Sequence, residues 1–136
     1  PEALEVARRN AIRNGVTVHF QQVDALQESW PSLNIDVLVS NPPYITEKER
    51  TDMERNVLDW EPELALFVPD NDPLLFYRHI ARIGLDLLSP SGTLYYEINR
   101  AYGAETISLL QQLGYHSVEL RKDLSGNDRM VKAVKP

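Results

Sequence analysis

The chain contains no cysteine. Disulfides, thiolate metal sites and a cysteine nucleophile are therefore excluded, and the composition suits a reducing cytoplasm. No apolar run is long enough to span a bilayer, and no signal-peptide pattern is present. Positive charge is scarce: 14 Lys and Arg stand against 20 Asp and Glu, a net charge of −6, which offers no global basic field to nucleic acid. The three histidines, His19, His79 and His116, fall on separate predicted elements without ligand spacing, so no metal site is expected. Also missing are a Gly-x-Ser-x-Gly elbow, a glycine-lysine phosphate loop and a glycine-rich dinucleotide fingerprint. What remains is 136 residues, 43% of them hydrophobic, enough for one domain with a sizeable core.

The most informative stretch is residues 36–44, Asp-Val-Leu-Val-Ser-Asn-Pro-Pro-Tyr. Residues 35–39 form an almost continuous apolar run, β-branched at Ile35, Val37 and Val39, the pattern of a strand buried on both faces of a parallel sheet. Pro42 and Pro43 then forbid regular structure, since each lacks an N–H, fixes φ and drives its predecessor into an extended conformation. The spacing predicts a strand that stops at Asn41 and opens into a stiff, polar-lined loop. Ligands in open α/β sheets sit at the carboxyl ends of strands.

Residues 1–14 read as a helix ended by Asn14-Gly15, and residues 16–23 as a strand ending at Asp24. Residues 25–34 read as a loop or short helix. Residues 45–59 are rich in charge and read as a solvated loop or loose helix, with a mobile lid as the alternative. Asp72-Pro73 is a good helix start, and Leu75, Phe76, Ile80, Ile83 and Leu87 share one face of a helix reaching about residue 88. Residues 89–92, Ser-Pro-Ser-Gly, read as a turn. A strand over 93–98, a helix over 101–113 and a strand over 116–120 follow. Turn chemistry at 125–128 leads into a last, antiparallel strand over 130–134. Strands alternating with helices predict an α/β fold with a mostly parallel sheet covered on both faces. The first residue is proline, not methionine, and a helix begins at once; we expect a piece of a longer protein.

The chemistry of Asn41-Pro42-Pro43-Tyr44 suits a planar group carrying an NH₂. The Asn41 side chain supplies an acceptor and a donor pair, the Pro42 carbonyl is held outside any ladder, and Tyr44 offers a flat face. Two acceptors on the two N–H protons favour the positive charge that develops when the nitrogen attacks an electrophile, and they aim its lone pair. The bland alternative is a simple turn. Asp24, at a strand end, either accepts from the amine of an adenine ring or is an exposed turn aspartate. Glu61 either supports the pocket or forms a surface salt bridge. Glu97, if buried at a sheet end, needs a partner.

Together these residues resemble a known family. Val-Ser-Asn-Pro-Pro-Tyr-Ile at residues 39–45 is similar to the substrate motif of class I S-adenosylmethionine-dependent methyltransferases that act on planar amines. Glu61-Pro62-x-x-Ala65-Leu66, Tyr96-Glu97-Ile98, the closing Asp123-x-x-Gly126-x-x-Arg129 and the opening Pro1-Glu2-Ala3-Leu4 with Ala7-Arg8-x-Asn10 resemble the release-factor glutamine methyltransferases, the HemK/PrmC family. The resemblance covers essentially the whole chain. It implies a Rossmann-like class I methyltransferase sheet with a C-terminal antiparallel hairpin, lacking its first two strands. Residues 1–136 would form a partial methyltransferase domain without the family's N-terminal helical domain, glycine-rich cofactor loop and ribose-binding acid.

The implied activity is methylation of the side-chain amide of the glutamine in the Gly-Gly-Gln motif of class-1 peptide-chain release factors, with S-adenosylmethionine as cofactor. Asn41 and Pro42 would be catalytic; Asn41, Pro42, Pro43, Tyr44 and Glu61 would bind substrate; Asp24, Ala25 and Asn41 would bind cofactor. A cytoplasmic location, no membrane and no direct nucleic-acid partner are expected, as is weak or absent cofactor binding by the chain alone. The unpaired sheet edges would favour self-association. Two alternatives stand: an adenine-N6 or guanine-N2 nucleic-acid methyltransferase, and a noncatalytic structural piece.

Overall fold

A computed structural model describes residues 1–27 and 29–136. The elements are α1 (Glu2–Arg13), β1 (Ile35–Ser40), β2 (Ile45–Thr46), α2 (Arg55–Trp60), β3 (Phe67–Val68), α3 (Leu75–Leu87), β4 (Leu88–Glu97), α4 (Gly103–Gln112), β5 (His116–Lys122) and β6 (Asp128–Val134), with 3₁₀ turns at Glu47–Asp52, Glu63–Ala65 and Arg100–Tyr102. The main sheet has the order β1-β4-β6-β5. β1 and β4 are parallel, and β6 is antiparallel to both β4 and β5. Three of the four strands therefore run one way, with β6 inserted against them. The mostly parallel α/β sheet with a closing antiparallel hairpin is thus the architecture read from the sequence. Among the described residues no strand pairs with the outer edge of β1.

The core lies on one face of this sheet. Leu38, Leu94 and Ala133 align across β1, β4 and β6, as do Tyr96, Val131 and Leu120 on the same side, and α3 and α4 pack over them. The α3 stripe contains Ile80, Ile83 and Leu87 as the periodicity predicts, but also Tyr77, Ala81 and Gly84. Gly84 is a site of close approach: a Cβ there would lie 2.6 Å from the Tyr115 hydroxyl and 3.3 Å from Leu38. Tyr115 instead donates to the Ala81 carbonyl at 2.6 Å, and Tyr96 donates to the Tyr77 carbonyl at 2.8 Å. These hydroxyls satisfy carbonyls that a buried helix face would leave competing for water.

Several expectations are corrected. Residues 16–23 form no strand. A strand exists only through a ladder with a neighbour, and here Val16 N–H turns back to the Ala11 carbonyl at 3.1 Å while Val16 and Val18 stay exposed. β1 is not buried on both faces: Val37 is 53% and Val39 71% exposed, because α3 and α4 cover only the opposite face, where Leu38 points. Asp72 does not cap α3, which starts at Leu75; its carboxylate instead takes both Arg78 nitrogens at 3.0 and 2.9 Å. Residues 89–92 are not a free turn but an outward bulge inside β4, where Leu88 faces Ile35 and Thr93 faces Val37. Ser89 Oγ pins the bulge to the Ile35 carbonyl and Asp36. The loop or short helix expected over 25–34 includes Glu28, outside the described residues; its described part contains no helix.

Candidate active site

β1 delivers the chain to the site. Ser40 is its last paired residue, opposite Tyr96, and Asn41 to Tyr44 run on without regular structure, as the paired prolines dictate. Pro42 is buried, Pro43 and Tyr44 are half-buried, and Asn41 is exposed. The exit of the loop is fastened by the β2–β3 ladder, Ile45 opposite Phe67 and Thr46 opposite Val68, and by Ile45 N–H donating to the Leu66 carbonyl at 3.0 Å. That short ladder brings the Glu61-Pro62-x-x-Ala65-Leu66 segment against the proline loop.

Two cavities result, and Asn41 lines both. One, of about 480 Å³, is bounded by Asn41, Pro42, Tyr44, Ile45, Val57, Glu61, Ala65 and Leu66. The other, of about 670 Å³, is bounded by residues 22–26 together with Asn41, Pro43, Pro62, Leu64, Ala65 and Phe76. The first holds the residues expected to bind substrate, except Pro43; the second holds Asp24 and Ala25, expected to bind cofactor, with Pro43. Both fall in the size range of small-molecule sites. Asp24 is an exposed turn aspartate, one oxygen accepting from Leu26 N–H at 2.9 Å, and it also borders the second cavity. Glu61 is exposed and borders the first.

Behind the loop lies a hydrogen-bond network. Tyr44 donates its hydroxyl to Glu97 Oε1 at 2.7 Å, the partner Glu97 needs at its strand end. Burial and Glu97 push the Tyr44 hydroxyl up to about 12. Arg129 Nη1 approaches the same oxygen at 3.4 Å, and Arg129 Nε donates to Asp123 Oδ2 at 3.2 Å. Asp123 also accepts from the backbone N–H groups of Asn127 and Ser125; the Asn127 N–H leads in holding its carboxyl below the usual range, with Arg129 adding to it. Asn99, 3% exposed, donates to the Tyr44 carbonyl at 3.0 Å and to Glu49 at 3.0 and 3.1 Å. Glu49 in turn accepts from Thr46 N–H and Oγ at 2.8 Å each.

Nothing local in the sequence places Glu49, Asn99, Asp123 and Arg129 around Tyr44. The spacing Thr46-x-x-Glu49 is a capping pattern and was legible. The contact of Arg129 with Tyr44, 85 positions apart, has no local signal. Residues 45–59 are in large part exposed or half-buried, but Thr46 is buried, and they include a 3₁₀ turn and α2, with Arg50 paired to Glu63 and stacked on Phe67 at 4.6 Å.

The mostly parallel sheet with its antiparallel closing strand is a class I methyltransferase fold. The chain aligns in space with a methyltransferase from Pyrococcus furiosus over 98% of its own length and 58% of that chain, with a TM-score of 0.62 and 19% identity. No protein-family model matches. In sequence the chain is a relative of the release factor glutamine methyltransferases: it is 50% identical to that of Bacteroides thetaiotaomicron over 97% of its length and 45% identical to that of Flavobacterium psychrophilum over 96%. It spans about half the length of these relatives, 48% and 46%.

Proposed function

We propose that this chain carries the acceptor side of an enzyme that methylates the side-chain amide of the glutamine in the Gly-Gly-Gln motif of class-1 peptide-chain release factors, with S-adenosylmethionine as donor. The observation that carries this reading is the position of Asn41, which borders two cavities at once. Asn41 is thereby placed to touch a group in either cavity.

The residues of the second cavity fit an adenosyl group. Val23, Ala25, Leu26, Pro43 and Phe76 offer apolar surface to a flat ring, and Asp24 offers an acceptor beside it. When bound, the cofactor supplies an electrophilic methyl group. Asn41 Oδ1 and the Pro42 carbonyl accept the two N–H protons of the substrate amide. This orients the amide and offsets the positive charge that develops on its nitrogen, so no strong base is required. Tyr44 walls the pocket with its ring, and Glu61 stands at the mouth. By analogy with preorganised dipoles elsewhere, loss of one acceptor slows turnover about 10²–10³-fold.

The test is methyl transfer by the complete protein to a release factor, to DNA and to RNA. The reading expects the release factor alone to be labelled. Labelling of nucleic acid would favour the adenine or guanine alternative, against which the net charge of −6 counts. Titration of S-adenosylmethionine into the 136-residue chain tests the noncatalytic alternative, and weak binding or none is expected. Among the described residues no helix is long and apolar enough to cross a membrane, and the reading places the enzyme with its substrate in the cytoplasm. The edge of β1, unpaired among the described residues, gives this 136-residue chain a route to self-association, measurable by sedimentation.

A further inference from the structure

The proline loop is gripped from behind at two points. Asn99 holds the Tyr44 carbonyl at 3.0 Å, and Glu97 and Arg129 hold its hydroxyl at 2.7 and 3.4 Å. Pro43 stands between Tyr44 and the Pro42 carbonyl, and Pro42 between that segment and Asn41; the ring of each fixes its φ. With both φ values fixed, fewer torsions are left to take up a displacement of Tyr44 before it reaches the Pro42 carbonyl and Asn41. Arg129 also donates to the Ile98 carbonyl at 3.4 Å, while its own carbonyl accepts from Ile98 N–H at 2.8 Å. The guanidinium is thus registered against the end of β4, where Glu97 sits.

The hairpin does not need this arginine to close. Asp123 N–H donates to the Asn127 carbonyl at 2.8 Å, and the Asp123 carboxylate takes the N–H groups of Ser125 and Asn127 at 2.9 and 3.0 Å. Asp123 is left with its second oxygen for Arg129 Nε, which points the rest of the fork at Tyr44. The Arg129 side chain is 27% exposed and paired with Asp123. Arg129, Tyr44, Glu49 and Asn99 line a separate cavity of about 270 Å³ behind the loop.

We propose that Arg129 is a positioning residue: seated by the Asp123 turn, it fixes the Tyr44 hydroxyl together with Glu97 and so aims the Pro42 carbonyl and the Asn41 side chain at the substrate amide. The effect on turnover rests on the methyltransferase reading; the geometric coupling does not. Tyr44 and Arg129 lie 85 positions apart, so the C-terminal hairpin acts as a remote support for the acceptor loop.

The experiment is a double-mutant cycle in the complete protein, with Arg129→Gln and Arg129→Lys placed in wild-type and Tyr44→Phe backgrounds. Two readouts are taken: the NMR cross-peak of the Asn41 side-chain amide, which needs no activity, and kcat and KM for methyl transfer to a release factor. Arg129→Gln is expected to move the Asn41 signal and to lower kcat by about ten- to a hundredfold with KM nearly unchanged, as misplacement of a positioned group does. In the Tyr44→Phe background both effects are expected to shrink by more than half, since the shared oxygen is gone. Arg129→Lys, which keeps the charge and loses the fork, should show an intermediate loss, and it decides the matter if Arg129→Gln does not fold. Equal effects of Arg129→Gln in the two backgrounds, or an unmoved Asn41 signal, would overturn the proposal. So would the same losses in Arg121→Gln, a change at an exposed position of the same hairpin. Coupling at Asn41 without methylation of the release factor would leave the proposal standing and defeat the functional reading instead.

Discussion

Asn99→Ala is the perturbation whose cost the structure defines best. The side chain is 3% exposed and serves three partners: the Tyr44 carbonyl at 3.0 Å, the Glu49 carboxylate at 3.0 and 3.1 Å, and Ala101 N–H, which it accepts at 3.0 Å. The last bond caps the 3₁₀ turn that leads into α4, and loss of such a cap costs about 1 kcal/mol. A hydrogen bond to a charged acceptor contributes about 1.5–3 kcal/mol, and a neutral one about 1. These terms share one side chain and do not add fully, so we expect a net loss of about 3 kcal/mol. At a urea m-value of about 2 kcal/mol/M, the unfolding midpoint falls by about 1.5 M. Asn99→Asp sharpens the test, because it sets a second carboxylate about 3 Å from Glu49. Repulsion raises a folded-state pKa of that pair. The variant's stability is then highest below the unfolded carboxylate range near 4 and is lost as pH rises through the raised value. An Asn99→Ala midpoint within about 0.2 M of wild type, or an Asn99→Asp variant no less stable at pH 7 than at pH 4, would refute the role given to this network.

Two further outcomes follow from the core and the tyrosines. Gly84→Ala drives a methyl to within 2.6 Å of the Tyr115 hydroxyl and 3.3 Å of Leu38; a loss of about 1–3 kcal/mol is expected from overpacking, read from urea midpoints, and an unchanged midpoint would contradict the packing described. Tyr44, Tyr77, Tyr96 and Tyr115 all have hydroxyls pushed up first by burial. A raised folded pKa gives stability that is complete below the unfolded value near 10 and lost as pH rises above it. Unfolding should therefore become steeply easier from about pH 10 upward, with these four hydroxyls ionising only as the fold is lost; ionisation of these four near pH 10 in an intact fold, read by residue-resolved NMR, would contradict this.

Legibility from sequence followed the range of the interactions. The helix over residues 1–14, the α3 stripe and the closing hairpin rest on local periodicity and turn chemistry, and all three form. The proline loop was legible because two adjacent prolines constrain the chain whatever surrounds them. The error on residues 16–23 has the opposite cause: alternation marks a strand, but only a neighbour makes one. Val37 and Val39 were read as buried because an apolar run does not say how many faces are covered. Glu97 needs a partner, but that partner is Tyr44, 53 positions away, and the arginine that meets the same hydroxyl lies 85 positions from Tyr44. Such pairings are set by strand order, which brings β6 beside β4, and no short window of sequence holds that information.

The central claim concerns Asn41, and one measurement addresses it directly. The complete protein and its Asn41→Ala variant are incubated with labelled S-adenosylmethionine and a release factor, and the glutamine of the Gly-Gly-Gln motif is inspected by mass spectrometry beside a urea midpoint for each protein. The account predicts one methyl group on that side-chain nitrogen with wild type and a rate at least about 10²-fold lower with the variant. The unfolding free energies from the two midpoints should agree within about 0.5 kcal/mol, as expected for an exposed position. A variant that methylates at the wild-type rate, or a wild type that leaves the glutamine unmodified, would contradict it.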